Sequence, residues 1–222
     1  MFFSALTGLL AGTLHVISGP DHLAAITPFA IENHKKSWYT GLLWGIGHTS
    51  GVWIVGALAF LFREFIPLGL ISSVSERLVG LMLIGVGIWG IRKALVNKVH
   101  YHDHKHEEGI HAHFHVHTGV ESHQHPVNHQ HTHAPLGIGI LHGLAGSSHL
   151  VGVLPALLLP DKASAIAYLL SYGIGSIVSM MGFSYLIGAF ARKLVSSAQA
   201  YSRMLMSFAI AAIAVGVVWL VI

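Results

Sequence analysis

Leu14 to Pro28 reads LHVISGPDHLAAITP, and Leu141 to Pro155 reads LHGLAGSSHLVGVLP. Aligned without gaps, the two stretches share Leu, His, Gly, His, Leu and Pro at matching places. The likeness continues into the next apolar run, where Gly45-Ile46-Gly47-His48 corresponds to Gly173-Ile174-Gly175-Ser176 after one extra residue. It fades in a third run, where Trp89 and Trp219 align only loosely. Self-similarity of this kind marks a chain built from two copies of one unit.

The surroundings of the repeat identify its solvent. Of 222 residues, 53% are hydrophobic and 9% charged, against roughly 25% charged in soluble globular domains, so the chain reads as lipid-embedded. A bilayer core is crossed by about 20 mostly apolar residues in a helix, and six runs approach that length: Phe2–Ala30, Trp38–Phe62, Leu78–Ile91 with some extension, Leu136–Leu159, Ala163–Ala191 and Met204–Ile222. The third is short between Arg77 and Arg92, whose side chains can snorkel. No basic segment precedes Phe2, so the first run is expected to be a retained helix. The expected fold is an all-α integral membrane protein of six transmembrane helices. Each repeat has three spans, 1–97 and 135–222, and an odd number inverts the second copy relative to the first. Residues 98–134 between them form a polar loop.

Short cytoplasmic loops accumulate Lys and Arg. One side receives Lys35, Lys36, Arg92, Lys93, Lys98, Lys105, Arg192, Lys193 and Arg203, the other only Arg63, Arg77 and Lys162. Both termini are therefore expected outside the cytoplasm and the polar loop inside it, in a multi-pass protein of the plasma or inner membrane. With the basic residues placed by topology, the formal charge of +3 does not point to nucleic acid.

Five histidines fall inside apolar runs: His15, His22, His48, His142 and His149. An ionisable group there costs about 2.5 kcal/mol or more unless it is paired or faces water. Asp21 is the only acidic residue within a run, with no Lys or Arg beside it, so a bound metal or a protonated histidine is its expected partner. His34, next to Lys35 and Lys36, reads as solvated. In an unbroken helix His15 and His22 would lie roughly 10 Å apart along the axis, too far to share an ion. Gly19 and Pro20 stand between them, where a helix stops and restarts, and a break lets His15, Asp21 and His22 converge. The second copy keeps His142, Gly146 and His149, so a broken first helix is expected in each repeat, but Ser147-Ser148 replaces Pro20-Asp21. With no cysteine in the chain, disulfides, thiolate sites and thiol electron relays are excluded. Imidazoles with one carboxylate suit nickel, cobalt, copper or zinc better than magnesium or calcium.

From His100 to His133 there are thirteen histidines, among them His111, His113, His115 and His117 at alternate positions. Such a tract is expected to be disordered without metal and to bind divalent ions as an accessory site.

HVISGPDHLAAI, His15 to Ile26, resembles the signature helix of the nickel/cobalt transporter superfamily, and Gly47-His48-Thr49-Ser50 resembles its second motif. The closest likeness is to the short UreH-like branch, linked to urease maturation. The resemblance implies transport of nickel or cobalt, with ligands at His15, Asp21, His22 and His48. It also implies partners among metallochaperones or urease and hydrogenase maturation proteins. Together these readings give a secondary transporter, not an enzyme, whose cargo is a divalent transition metal: nickel or cobalt first, manganese, zinc or iron as alternatives. The expected site is His15, Asp21, His22, His48, His142 and His149 at the repeat interface. Two other classes compete: an intramembrane metal-dependent hydrolase, which would need a general base besides its ligands, and a sensor or delivery protein acting through the histidine-rich loop alone.

Overall fold

The computed structural model describes residues 1–61, 68–96, 100–106, 109–115, 133–145, 152–156, 158–194 and 198–221. In chain order the elements are α1 (Phe2–Ser18), α2 (Pro20–Glu32), α3 (Ser37–Leu61), α4 (Leu68–Val96), β1 (His100–His106), β2 (Gly109–His115), α5 (Ala134–Ala145), α6 (Lys162–Leu194) and α7 (Ala198–Val221). Residues 152–156 are also helical.

Among the described residues the apolar runs are helical. Four helices among the described residues are long and apolar enough to cross a bilayer: Ser37–Leu58, Glu76–Leu95, Lys162–Lys193 and Gln199–Val221. The first apolar run is two helices bent by 72°, which make a fifth span if counted together, and Ala134–Ala145 is a shorter apolar helix. The third run extends well past its expected ends, as Leu68–Val96. Glu76, Arg77, Arg92 and Lys93 favour helix intrinsically, so a charge there marks the edge of the apolar slab and not the end of the helix.

Glycine sets how closely the helices approach. A Cβ on Gly8 or Gly12 of α1 would run into the carbonyls of Tyr168 and Tyr172 on α6, and one on Gly139 or Gly143 of α5 into those of Trp44 and His48 on α3. Small residues spaced by four allow this backbone contact between apolar helices. The order of these contacts fixes direction: α1 runs parallel to α6, and α5 parallel to α3. Gly41 and Gly45 of α3 face Met180 and Ile177 of α6, so α3 and α6 are antiparallel, and α1 and α5 consequently run in opposite directions. Gly80 and Gly216 each approach the other's carbonyl, while Gly90 meets Ala209, which makes α4 and α7 antiparallel as well.

The interior holds Val16, Ile26, Phe29, Trp44, Leu83 and Met180 in one cluster, whereas Leu14, Ile17 and Leu186 are more than half exposed, as on a lipid-facing surface. At the end of α2, Glu32 pairs with Lys93, whose ammonium lies 5.2 Å from the Trp89 ring centroid.

Part of the polar loop is described as strands. β1 and β2 form an antiparallel hairpin in which His100, His102 and His104 stand in register with His115, His113 and His111. The strict alternation of His with Tyr, Asp, Lys, Ala and Phe has the period of a strand, a signal that composition alone conceals.

Candidate metal centre

The centre begins at the break between α1 and α2. Gly19 is extended, with φ −87° and ψ 102°, and Pro20 opens α2 in the first-turn position where its missing N–H costs nothing. Ser18 Oγ satisfies the Leu14 carbonyl at 2.6 Å. Asp21 follows in the first turn of α2, where the helix dipole favours negative charge. A Cβ on Gly19 would collide with His22 Nδ1 and lie 2.9 Å from Asp21 Oδ1. Only glycine therefore lets both side chains fold back over the break.

Four imidazoles meet there from four helices. His15 comes from the last turn of α1, His22 from α2, His48 from α3 and His142 from α5. The His22 ring centroid is 4.6 Å from His15, 4.8 Å from His48 and 4.6 Å from His142. His48 is 5.6 Å from His15 and 5.5 Å from His142. His15 and His142 thus each lie against both His22 and His48. Asp21 lies along the edge between His22 and His142: Oδ1 is 3.1 Å from His22 Nδ1, and Oδ2 is 3.1 Å from His142 Nε2. When both rings are neutral, each donates one N–H to this carboxylate and keeps its other nitrogen as a lone-pair donor, the arrangement by which carboxylates orient metal-binding histidines.

The ligand atoms fall into two triads, His15–His22–His48 and Asp21–His22–His142, each with its atoms within 4.8 Å of one another. Exposure of Asp21, His22, His48 and His142 is 4% or less, whereas His15 is partly open. A buried carboxylate among imidazoles, without Lys or Arg in contact among the described residues, is a borderline nitrogen/oxygen donor set for a divalent transition metal.

Of the residues expected from sequence, His15, Asp21, His22, His48 and His142 come together, with Gly19 and Pro20 at the bend. His149, Gly146 and His117 lie outside the described residues. His111, His113 and His115 are on β2, away from the helical cluster in the chain. His34 sits between α2 and α3 and is held below its ordinary pKa mainly by burial, with Lys35 and Arg192 adding to the effect. Arg192 Nη1 donates to the His34 carbonyl.

Two aromatic residues escaped the sequence reading. Tyr172 is 5.8 Å from His15, and Trp44 is 6.1 Å from His142, ring to ring. Both are buried, and neither Tyr172 Oη nor Trp44 Nε1 has a hydrogen-bond partner among the described residues. The repeat would have found them, because its second segment, extended one residue backwards, equates Trp44 with Tyr172, just as the first equates His15 with His142.

Apolar helices around a buried histidine–aspartate cluster define a polytopic membrane protein with a metal-competent centre. The family described as "Cytochrome C biogenesis protein transmembrane region" matches residues 4–218. The urease accessory protein UreH of Bacillus sp. strain TB-90 is 33% identical over 169 residues, 75% of this chain and 68% of UreH. The chain thus belongs to this transmembrane family, and within it is similar to UreH. The chloroplast protein FOR GROWTH AND FERTILITY 1 of Arabidopsis thaliana is 32% identical over 170 residues, 76% of this chain, and this chain spans 45% of its length. A Methanocaldococcus jannaschii protein whose name proposes a nickel/cobalt efflux system is 30% identical over 103 residues, 45% of this chain and 48% of its own. No solved structure matches. Family membership carries fold and not chemistry, and a chain with no cysteine has no thiol to relay electrons.

Proposed function

We propose that the protein is a secondary transporter that moves a divalent transition-metal ion, nickel or cobalt first, through the His15–Asp21–His22–His48–His142 centre. The observation that carries this reading is the position of Asp21, the one carboxylate of the cluster, with an imidazole against each oxygen. Groups so costly to bury are retained in membranes where they line an ion path. The name of the nickel/cobalt efflux relative agrees with it.

The architecture of the transporter is two inverted three-helix repeats. Support comes from contacts that recur at repeat-equivalent places: Gly12 sits on the Tyr172 carbonyl and Gly139 on that of Trp44, while Gly175 sits on the Leu9 carbonyl and Gly47 on that of Leu136. The opposed directions of α1 and α5, of α3 and α6, and of α4 and α7 support inversion of the copies. A site between such repeats alternates access by rocking of one against the other. His149 completes the repeat-related set, and the loop histidines 111, 113, 115 and 117 serve as an accessory binding tract on the cytoplasmic side of a cell membrane, with both termini on the opposite side. Urease maturation proteins are the partners that the UreH relationship favours. A hydrolase is disfavoured, since the cluster's only carboxylate among the described residues already faces two imidazoles.

Flux into proteoliposomes with a panel of nickel, cobalt, manganese, zinc and iron ions tests the function. Wild type should move nickel or cobalt, Asp21→Asn should lose at least tenfold, and deletion of 100–133 should leave intramembrane transport in place. Equal flux in wild type and Asp21→Asn would refute the site, and loss confined to the loop deletion would favour a sensor or delivery role.

A further inference from the structure

The two triads of the centre differ in two respects and share one residue. The His15–His22–His48 triad is all imidazole and includes the one partly open ligand, whereas Asp21–His22–His142 carries a carboxylate and is wholly buried. His22 belongs to both. The two end ligands, His15 and His142, are the repeat counterparts of one another, and each has a repeat-related aromatic at its side, Tyr172 for His15 and Trp44 for His142.

From this we infer, resting on the transport reading above, that the cargo ion occupies two successive positions joined by His22. It binds first to His15, His22 and His48, and then exchanges His15 and His48 for Asp21 and His142, with the His22 ring common to both positions; as it arrives, the protons that His22 Nδ1 and His142 Nε2 hold against Asp21 shift to the other nitrogen of each neutral ring. His15 and His142 are thus the end ligands for opposite faces of the membrane. Three features of the centre support this path. The donors divide into two triads within 4.8 Å and not one five-membered group. His22 is central, with ring centroids 4.6 to 4.8 Å from the other three. Burial differs between ends that the repeat makes equivalent. An ion held by all five donors at once would face a high barrier to release, whereas a path of overlapping partial sites lets each new ligand replace an old one. The exchange also changes site charge: the first position is neutral apart from the ion, and the second adds one negative charge.

The test uses Co2+ as probe and its visible absorption, which responds to coordination number and to the replacement of nitrogen by oxygen. The background is the full-length chain with the thirteen histidines from 100 to 133 replaced by asparagine, so that only the helical centre reports. His142→Ala removes the second position alone, His15→Ala the first alone and His22→Ala both. His142→Ala and His15→Ala should each still bind one Co2+ per chain, with spectra that differ from one another, and each should lose transport at least tenfold. His22→Ala should weaken binding at least a hundredfold. The inference is overturned if His15→Ala and His142→Ala give the same spectrum, or if either abolishes binding as fully as His22→Ala. The glutamine variants His15→Gln and His142→Gln, checked for wild-type helical circular dichroism, separate a lost ligand from a lost fold. A wild type that binds Co2+ with this pattern yet moves no ion supports the two positions and contradicts the transport reading. Robust flux with a single-site pattern does the reverse, and a wild type that binds no Co2+ contradicts both.

Discussion

Gly19 controls the centre although it has no donor atom. Its place in the break allows His22 and Asp21 to turn back toward His15, and a methyl group would occupy the space that His22 Nδ1 now fills. Gly19→Ala should therefore weaken Ni2+ or Co2+ binding about 10–100-fold, the range seen when the support of a ligand histidine is disturbed, with helical content unchanged. Calorimetric titration of purified protein checks this, and unchanged affinity would remove the geometric role given to Gly19. At this scale much was legible in the sequence. His15, Asp21 and His22 stand out because lipid makes polar groups expensive, and Gly19-Pro20 announces the bend that joins them. Trp44 and Tyr172 were not legible singly, because an aromatic residue in an apolar run is ordinary core until its neighbour is known.

Helices pack here by backbone contact at glycine, which gives a prediction with its own control. On α1, a Cβ at Gly12 meets the Tyr172 carbonyl; on α5, Gly137 has nothing within 4 Å. Gly12→Ala should destabilise by about 1–3 kcal/mol, the usual cost of overpacking, whereas Gly137→Ala should be neutral or stabilise by up to about 1 kcal/mol through helix propensity. Thermal unfolding in detergent separates the two, and equal shifts would contradict the packing described. A second element, the corner between α2 and α3, is sensitive to pH. Burial lowers the His34 pKa below its unfolded value of about 6.5, so the unfolded chain binds the proton more readily. The neutral, stable form is fully present above pH 6.5, and stability falls as the pH drops below it. Between pH 7.5 and 5.5, His34→Gln should lose less thermal stability than wild type; an equal loss would place the titration elsewhere. The ends of elements were less legible than their existence. Arg77 and Arg92 mark the edge of lipid and not the ends of α4, and the strand period of the histidine tract was hidden by its polarity.

At the scale of the molecule, repetition was the most informative signal in the sequence, because it related residues far apart in the chain before any contact was known. It did not reveal which helices would pair. The crosswise arrangement, α1 along α6 and α5 along α3, arises because the glycines of α1 seat on carbonyls of α6 and those of α5 on carbonyls of α3. That packing helps bring His15 and His142 to a common centre. The most direct test of metal transport through this centre is a paired flux measurement in proteoliposomes, with wild type and His22→Ala at equal protein content and under the same Ni2+ or Co2+ gradient. The account predicts saturable flux in wild type and at least a hundredfold less in His22→Ala; equal flux in the two would contradict it.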